Sequence, residues 1–216
     1  MHRNTMLLFD KYARGYFRPG VRVLEIGPDF DSWAVKKLNG NCISTFACLA
    51  GADAECWDTV DIYRSPRLTY TATSEYTFPI EDNRYDLVLS ANVMEHVRKP
   101  WVWIRELARV CKPGGHVITI VPASWPYHEA PYDCWRAYPE GMKALYSDAR
   151  LTVVTAACEA LGDPHLKRHI PGRSQGNVRD DSSPKMRAVT RLLTMIGYPL
   201  ETAYDTVAIG RKCTDR

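Results

Sequence analysis

One short stretch near the N-terminus constrains the fold most strongly. Val21–Ile26 is mostly apolar and contains β-branched residues, which favours a buried strand in a parallel sheet. Gly27 follows at once and allows a tight turn, and Ser32–Leu38 then has a helical pattern. Strand, turn and helix in this order put Glu25 at the carboxyl end of a first strand. Open α/β sheets bind ligands at that edge, so we predict a ligand site there.

The turn itself has a recognisable pattern, acid-x-Gly-x-x, over Glu25, Gly27, Pro28 and Asp29. It resembles the first motif of class I S-adenosylmethionine (SAM) methyltransferases. That family usually has two more glycines, at the positions of Asp29 and Asp31, so this chain departs from the pattern. The resemblance implies that Glu25, Gly27, Pro28 and Asp29 bind the cofactor SAM. The alternative is a purely structural turn.

A second region carries the strongest resemblance. Tyr85–Ser90 is predicted as a fourth strand, Ala91–Val97 contains Glu-His-Val, and Trp101–Val110 is an amphipathic helix. A proline–glycine stop and a fifth strand, His116–Val121, complete the unit. This order resembles the small-molecule, methyltransferase type 11-like branch of the class I enzymes over residues 4–155 and the final strand.

That resemblance implies the fold class and the domain organisation. We expect an α/β protein with a Rossmann-like, doubly wound, seven-stranded sheet that is mostly parallel and has an antiparallel last strand. Residues 1–216 are expected to form a single methyltransferase domain. Residues 1–20 would form an N-terminal helix or lid, and 122–150 and 163–200 the loops and helices on the substrate side.

The acid at the end of the second predicted strand, Trp57–Ile62, is the candidate for the ribose hydroxyls. Asp61 occupies that position, and Ile62 beside it is assigned to the cofactor site. The spacing from Glu25 is much longer than the roughly 20 residues that are usual, so Asp53 and Glu55 remain alternatives. A surface acid at a strand end is the other interpretation.

Four further residues are assigned to the cofactor. In related methyltransferases the turn after the third strand holds the adenine, which implies Ser74 and Glu75. Asn92, after the fourth strand, is included as well. Asn4–Tyr16 has helical spacing, and because a helix here often closes over SAM in the family, Tyr12 is a candidate. The alternative is a helix that only covers the sheet edge.

The loop Pro122–Arg136 follows the fifth strand and should therefore lie over the ligand edge of the sheet. Aromatic walls with a few polar groups suit a small-molecule pocket. An Asp-x-Trp-Arg followed by aromatic-Pro-Glu-Gly resembles methyltransferases of sugar, polysaccharide or natural-product pathways. A packed structural loop, with Arg136 paired to Asp133 or Glu140, is the alternative. The predicted substrate-binding residues are Trp125, Tyr127, Tyr132, Trp135 and Arg136.

Three residues are candidates for removing a proton from the acceptor. His128 is the first because imidazole titrates near neutral pH. His96 is the second, and Asp133 the third, as a group that orients His128. The (Asp/Asn/Ser)-Pro-Pro-aromatic motif of many N-methyltransferases is absent after the fourth strand, which favours oxygen as the acceptor. Residues 165–184 are basic, and either a solvated loop or a flap for an anionic substrate fits them.

Charge, hydropathy and cysteine spacing limit the classes of binding partner that we expect. A net charge of +3 gives no support for nucleic-acid binding, and no apolar run approaches the ~20 residues that span a bilayer. Met1–Leu8 does not resemble a secretory signal, so a cytoplasmic protein without membrane partner is expected. The 7 cysteines have no CxxC spacing, which predicts reduced thiols and no metal site. The expected partner is a small-molecule substrate, and a homodimer is one option for the assembly.

The predicted function is SAM-dependent methyl transfer to a hydroxyl of a small polar molecule, such as a sugar or natural-product intermediate. A non-catalytic relative that serves as a binding or partner protein is the first alternative, supported by Asp29 and Asp31. An NAD(P)-dependent oxidoreductase is the second, weakened because the first turn lacks G-x-G-x-x-G.

Overall fold

The computed structural model describes residues 3–30, 43–51, 56–125, 127–128, 132–161, 184–196 and 204–214 of the chain. The strands are β1 Val23–Ile26, β2 Trp57–Asp61, β3 Tyr70–Thr71, β4 Tyr85–Ala91, β5 Cys111–Ser124, β6 Leu151–Glu159 and β7 Tyr204–Lys212. The helices are α1 Arg3–Leu8, α2 Thr45–Ala50, α3 Pro100–Val110, α4 Pro139–Asp148 and α5 Pro184–Met195. A π-helical turn, Phe9–Ala13, and a 3-10 turn, Arg14–Tyr16, extend α1, and a further 3-10 turn spans Met94–His96.

The seven strands form one sheet in the order β3-β2-β1-β4-β5-β7-β6. β1, β2, β3, β4 and β5 are mutually parallel, whereas β7 is antiparallel to both β5 and β6. β2 and β3 therefore lie on one side of β1, and β4 and the later strands lie on the other side, so the strand order reverses at β1. The predicted fold class, a doubly wound sheet with an antiparallel last strand, is confirmed.

Apolar cores cover both faces of the sheet. On one face α3 and α4 pack through residues such as Trp103, Leu107 and Tyr146. On the other face α1 and α2 pack through residues such as Leu8 and Phe46. Burial on both faces is what parallel strands require, and it explains the nearly continuous apolar runs in their sequence.

Because side chains alternate along a strand, β1 divides its residues between the two cores. Leu24 and Ile26 lie in the core with α3, whereas Val23 lies in the core with α1 and α2. Glu25 therefore belongs to the same face as Val23. The alternation of side chains along β1 thus decides which groups surround Glu25, the first acid that was predicted to bind the cofactor.

The N-terminal helix is tied to the last strands of the sheet. The Nδ2 of Asn4 donates to Oδ2 of Asp205 at 2.7 Å and to the backbone oxygen of Glu159 at 2.9 Å. The helical prediction for residues 4–16 is confirmed, with the π-helical turn as an added irregularity. α1 is thus part of the packed body rather than a separate arm.

Several expectations concern segments outside the described residues, namely the helix at 32–38, Asp31, Asp53, Glu55 and most of the basic segment 165–184.

The cysteines differ from expectation at one position, because Cys48 is disulfide-bonded. Uniformly reduced thiols were therefore a wrong prediction. Among the described residues, no helix is both long and apolar enough to cross a membrane. The free cysteines of the described part are Cys56, Cys111, Cys134, Cys158 and Cys213.

Candidate functional site

Gly27 makes the turn at which the sheet changes its direction of growth. Its φ is +65°, a left-handed conformation that glycine adopts without strain. Its N–H donates to the oxygen of Val60 at 3.0 Å, and a Cβ placed on it would collide with Cγ2 of Val93. The backbone of β1, the end of β2 and the segment after β4 therefore meet at a position where only a glycine fits. A crevice at such a switch point is the usual ligand site of an open α/β sheet.

A cavity of about 270 Å³ lies at this crevice. Five of the ten predicted cofactor residues line it, together with one predicted catalytic residue. Its apolar walls come from the core face that contains α3. The lining residues are Ile26, Gly27, Val60, Asp61, Ile62, Tyr63, Glu75, Phe78, Asn92, Val93, His96, Val97 and Trp103.

Glu25 is not among the residues that line the cavity. Its side chain is buried, and its Oε2 accepts hydrogen bonds from the Ser44 hydroxyl and, at 2.8 Å, from Nε1 of Trp57. Burial raises the pKa of this carboxyl to about 7, while the bonds from Ser44 and Trp57 act in the lowering direction. The expectation that Glu25 contacts the cofactor does not match this geometry, because strand parity turns its side chain to the opposite core.

The rest of the first motif forms the turn between β1 and the next helix region. The backbone oxygen of Asp29 accepts bonds from the N–H of Thr45 at 3.0 Å and from its hydroxyl at 2.9 Å. Pro28 lies between Gly27 and Asp29 in this turn. Asp29 thus fixes the start of α2 through its backbone, a contact that a glycine could also make.

Asp61 ends β2 at the cavity, and its Oδ1 accepts a bond from the N–H of Tyr63 at 3.1 Å. Ile62, beside it, is partly exposed into the same space. Ser74 and Glu75 have different surroundings. Ser74 accepts a bond from the N–H of Tyr76 within a tight turn, so it is Glu75 that reaches the cavity.

The turn that follows Glu75 is held by α3. Glu106 is buried and accepts a bond from the N–H of Phe78 at 2.6 Å. Arg109 pairs with Glu106 at 2.7 Å and donates to the backbone oxygen of Ile80 at 2.8 Å. These bonds fix Phe78, which lines the cavity, to the scaffold of the sheet.

Asn92 forms part of the cavity wall directly after β4. It has a φ of +55°, and its N–H donates to the oxygen of Ile120 at 2.9 Å. Its Oδ1 accepts a bond of 2.9 Å from the hydroxyl of Thr5 on α1. Tyr12, the residue predicted from this helix region, instead donates to the carboxylate of Glu159 and does not line the cavity. The contact of the N-terminal helix with the site is therefore made by Thr5.

His96 joins the cavity to a polar cluster. Its Nδ1 lies 2.5 Å from the backbone oxygen of Tyr132, and its Nε2 lies 3.9 Å from Oε1 of Glu95. Glu95 is buried, and burial raises the pKa of its carboxyl to about 8, with Arg136 acting in the lowering direction. His96 also packs edge to face against the ring of His128, with 5.0 Å between the centroids.

His128 and Asp133 lie close together in the structure. The backbone N–H of His128 donates to Oδ2 of Asp133 at 2.8 Å, and Nδ1 of His128 lies 3.3 Å from the same oxygen. Arg136 clamps the Asp133 carboxylate with bonds of 2.5 and 2.6 Å. Burial opposes ionisation of Asp133, but the bonds from Arg136 and His128 outweigh it and lower its pKa.

The four predicted substrate aromatics lie in the loop around this cluster, and none of them lines the cavity within the described residues. Tyr127, Tyr132 and Trp135 are exposed. Trp135 is anchored by a bond of 2.9 Å from its Nε1 to the oxygen of Val97, and Arg98 lies 3.8 Å from the ring centre of Tyr132. The backbone oxygen of Trp125 accepts a bond of 3.1 Å from Nε of Arg136.

Sequence reasoning missed Thr5 and Glu95. Nothing in the local pattern marks Thr5, since its partner Asn92 is 87 positions away. Glu95 was visible in the Glu-His-Val motif, but its approach to His128 depends on how the loop after β5 folds back. The N–H of Cys134 donates to the oxygen of Glu95 at 2.7 Å and holds the loop there.

The strand order gives the chain a Rossmann-like fold that it shares with a solved SAM-dependent methyltransferase, and the cavity lies at the carboxyl ends of β1, β2 and β4. Residues 52–119 match the family model described as "Methyltransferase domain". The resemblance found in the sequence is confirmed by this match, and the structural neighbours, which include a SAM-dependent methyltransferase, share the fold.

Curated relatives match a short stretch of the chain. An "Uncharacterized methyltransferase" from Mycobacteroides abscessus is 46% identical over 55 residues, which are 26% of this chain and 21% of that protein. An "Uncharacterized methyltransferase" from Mycobacterium tuberculosis is 43% identical over 49 residues, 23% of this chain and 19% of that protein. The chain thus spans about a fifth of the length of these curated relatives in the matched region.

Solved structures match nearly the whole chain. A SAM-dependent methyltransferase from Archaeoglobus fulgidus has a TM-score of 0.56 at 14% identity, covering 96% of this chain and 92% of that one. A methyltransferase from Haloferax volcanii, solved with the Trm112 methyltransferase activator, has a TM-score of 0.57 at 16% identity, covering 98% and 91%. At these identities the likeness establishes the fold.

Proposed function

We propose that this protein transfers the methyl group of SAM to a hydroxyl of a small polar molecule, such as a sugar or natural-product intermediate. One observation carries the proposal. The cavity has carboxylates of Asp61 and Glu75 on one side and reaches His96, with the His128–Asp133 pair beyond it, on the other. We propose that the whole chain, 1–216, acts as one methyltransferase domain.

The cofactor would lie across the carboxyl ends of β2, β1 and β4. In this proposal Asp61 accepts hydrogen bonds from the ribose hydroxyls, and Ile62, Glu75 and Phe78 border the adenine. The methionine part would lie against the turn at Gly27 and against Asn92. Pro28 and Asp29 then act through the backbone of their turn, and Ser74 acts through the bond that its hydroxyl accepts from the N–H of Tyr76. Glu25 and Tyr12 act indirectly, Glu25 by holding Trp57 and Ser44 beneath the turn and Tyr12 by holding Glu159.

The acceptor would lie at the His96 end of the cavity, which we call the acceptor end. Methyl transfer is an in-line displacement in which the O–CH₃ bond forms as the S–CH₃ bond breaks and S-adenosylhomocysteine leaves. The protein supplies alignment and a dry site. The hydroxyl proton passes to His128, whose Nδ1 is oriented by Asp133. His96 is the second candidate for this role.

The loop aromatics Trp125, Tyr127, Tyr132 and Trp135 are proposed as the cover over the acceptor. Three of them are exposed, so they are available for contact with a substrate that enters beside His96. Arg136 already uses its guanidinium on Asp133 and on loop carbonyls. We therefore assign Arg136 to shaping the loop.

Calorimetric titration tests the cofactor part of the proposal. SAM and S-adenosylhomocysteine should bind with one site per chain, and NADH should not. Asp61→Asn should weaken SAM binding, because it removes the charge that accepts two ribose hydroxyls. The control is Asp148→Asn, an exposed aspartate at the end of α4. Binding of NADH in place of SAM would favour an oxidoreductase and overturn the proposal.

A non-catalytic relative is the second candidate, favoured by Asp29 at a position that is glycine in the family. Incubation with labelled SAM and a panel of sugar and polyketide alcohols separates the two. Transfer of label to any alcohol supports the enzyme. Binding of SAM without transfer, across a panel that also includes amines and thiols, would favour the binding protein.

A further inference from the structure

Three side chains at the acceptor end lie close enough to share one ion. One ligand atom each from Glu95, His96 and His128 lies within 4.8 Å of the others. Around Zn²⁺, with bonds of about 2.0–2.2 Å, tetrahedral ligand atoms stand about 3.3 Å apart. Side-chain rotations that bring the atoms closer by up to about 1.5 Å would therefore complete the set.

Each of the two imidazoles has an oxygen acceptor beside its Nδ1. A carbonyl oxygen can only accept, so the 2.5 Å contact with Tyr132 places a proton on Nδ1 of His96 and leaves the lone pair on Nε2. Nε2 is the atom that faces Glu95, at 3.9 Å. Nδ1 of His128 lies 3.3 Å from the Asp133 carboxylate, so Nε2 is the ring atom on the side away from that contact.

Metal-binding histidines commonly make contacts of this kind through the ring nitrogen that does not bind the metal. Metal-ligating histidines usually donate their second N–H to a carboxylate or a backbone carbonyl, which fixes the ring and raises its basicity. Here His96 has the carbonyl of Tyr132 and His128 has the carboxylate of Asp133. Asp133 is itself fixed by the two bonds from Arg136.

Glu95 supplies an independent observation. Its side chain is 2% exposed, and its Oε2 has no hydrogen-bond partner among the described residues. A buried carboxylate oxygen without a partner is costly unless a cation or a donor compensates it. An ion held together with His96 and His128 would provide that compensation.

We propose that Glu95, His96 and His128 form a binding site for a divalent transition-metal ion such as Zn²⁺. Two imidazoles and one carboxylate are a ligand set of catalytic zinc sites, which keep a further position open for substrate. Because His96 also lines the cavity, an ion held by these residues would lie at the acceptor end.

The role of the ion in catalysis, unlike the metal site itself, rests on the proposed function. A hydroxyl bound to the ion loses its proton at lower pH than a free hydroxyl, and the proton passes to solvent. In the metal-bound protein the ion thus takes over the activation of the hydroxyl that we assigned to His128 above. The transferred methyl group still comes from SAM.

Titration of EDTA-treated full-length protein with Co²⁺ tests the site, followed by visible d–d absorption and by competition with Zn²⁺. The wild type should bind one Co²⁺ per chain. Glu95→Gln, His96→Gln and His128→Gln should each weaken binding at least about tenfold, and Asp133→Asn by about 10–100-fold. The matched control is His116→Gln, a histidine on β5 that packs against Tyr16 and should leave Co²⁺ binding unchanged.

Two results would overturn the metal site. One is the absence of Co²⁺ binding by folded wild-type protein, with folding checked by circular dichroism. The other is binding that survives the histidine substitutions or that shows a thiolate-to-Co²⁺ charge-transfer band, which would assign the ion to a cysteine such as the exposed Cys134. Titration of the same EDTA-treated sample with SAM measures cofactor binding independently of the metal site. SAM binding without Co²⁺ binding removes the ion and leaves the proposed function in place.

Discussion

The hydroxyl of Thr5 donates a 2.9 Å hydrogen bond to Oδ1 of Asn92 and so joins the N-terminal helix to the cavity wall. Thr5 is fully buried, and Asn92 stands in a left-handed conformation directly after β4. The bond therefore holds an otherwise unfavourable backbone position next to the proposed methionine end of SAM.

Thr5→Val should weaken SAM binding by about 2–10-fold, because it removes one hydrogen bond worth about 0.5–1.5 kcal/mol and leaves Asn92 unsatisfied. Calorimetric titration with SAM measures the effect. Thr5→Ser keeps the hydroxyl and is the matched control. Equal affinities of the Val and Ser variants would show that the bond does not position Asn92.

Gly27→Ala should abolish SAM binding and reduce the free energy of unfolding by more than about 2 kcal/mol, because the new methyl group meets Val93 in a tight turn. Gly51→Ala is a close control. Gly51 has nearly the same φ, +64°, but a Cβ there meets nothing within 4 Å. It should cost only about 1 kcal/mol. Urea denaturation compares the two variants, and similar losses would mean that backbone strain, rather than the contact with Val93, dominates.

The buried carboxyl of Glu25 should make stability depend on pH. Its pKa in the folded protein is raised from 4.5 to about 7, so the folded state holds this proton more tightly than the unfolded state does. Unfolding therefore releases a proton between these values, and this group makes the protein less stable as pH rises from about 4.5 to 7. Above pH 7 this group lowers the free energy of unfolding by on the order of 3 kcal/mol relative to its value below pH 4.5.

Glu25→Gln removes this titration and can still accept a bond from Trp57. The free energy of unfolding of the variant minus that of the wild type should rise between pH 4.5 and 7 and level off above. Urea denaturation at several pH values measures this difference. Glu140→Gln, a mostly exposed glutamate paired with Lys143, is the control. A comparable slope in that variant would show that the effect is not specific to the buried carboxyl.

His128→Gln should lower turnover at least about 100-fold with the true acceptor and leave SAM affinity unchanged, because the residue acts on the acceptor and not on the cofactor. The loss is expected whether His128 takes the proton itself or holds an ion that activates the hydroxyl. Single-turnover rates with labelled SAM give the measurement, and His116→Gln is the control. Turnover that equals the wild-type value would remove His128 from the mechanism.

Local pattern predicted the scaffold of the site well. The acid-x-Gly turn, the fourth strand and the Glu-His-Val segment are each encoded within a few neighbouring residues, and burial on both faces of a parallel sheet leaves a plain apolar signal in the sequence. Gly27, Asp61, Ile62, Glu75, Asn92 and His96 were named from strand ends or from the family resemblance, and all line the cavity. The proline–glycine stop after α3 also holds, although β5 begins directly at Cys111.

The positions of Glu25 and Tyr12 show where local pattern was insufficient. Both residues were identified within the correct elements, but a strand or helix presents side chains to more than one side. The parity of β1 turns Glu25 toward Trp57, and the turn of the N-terminal helix points Tyr12 to Glu159.

The sequence alone determined the fold class, through motifs that resemble those of a known family, and it also indicated which strand ends border the cavity, because turn residues and strand patterns are properties of neighbours in the chain. Only the tertiary structure decided that Thr5 contacts Asn92 and that Glu95 and His96 meet His128. These pairs are dozens of positions apart, and their contact depends on how the N-terminal helix and the loop after β5 pack against the sheet.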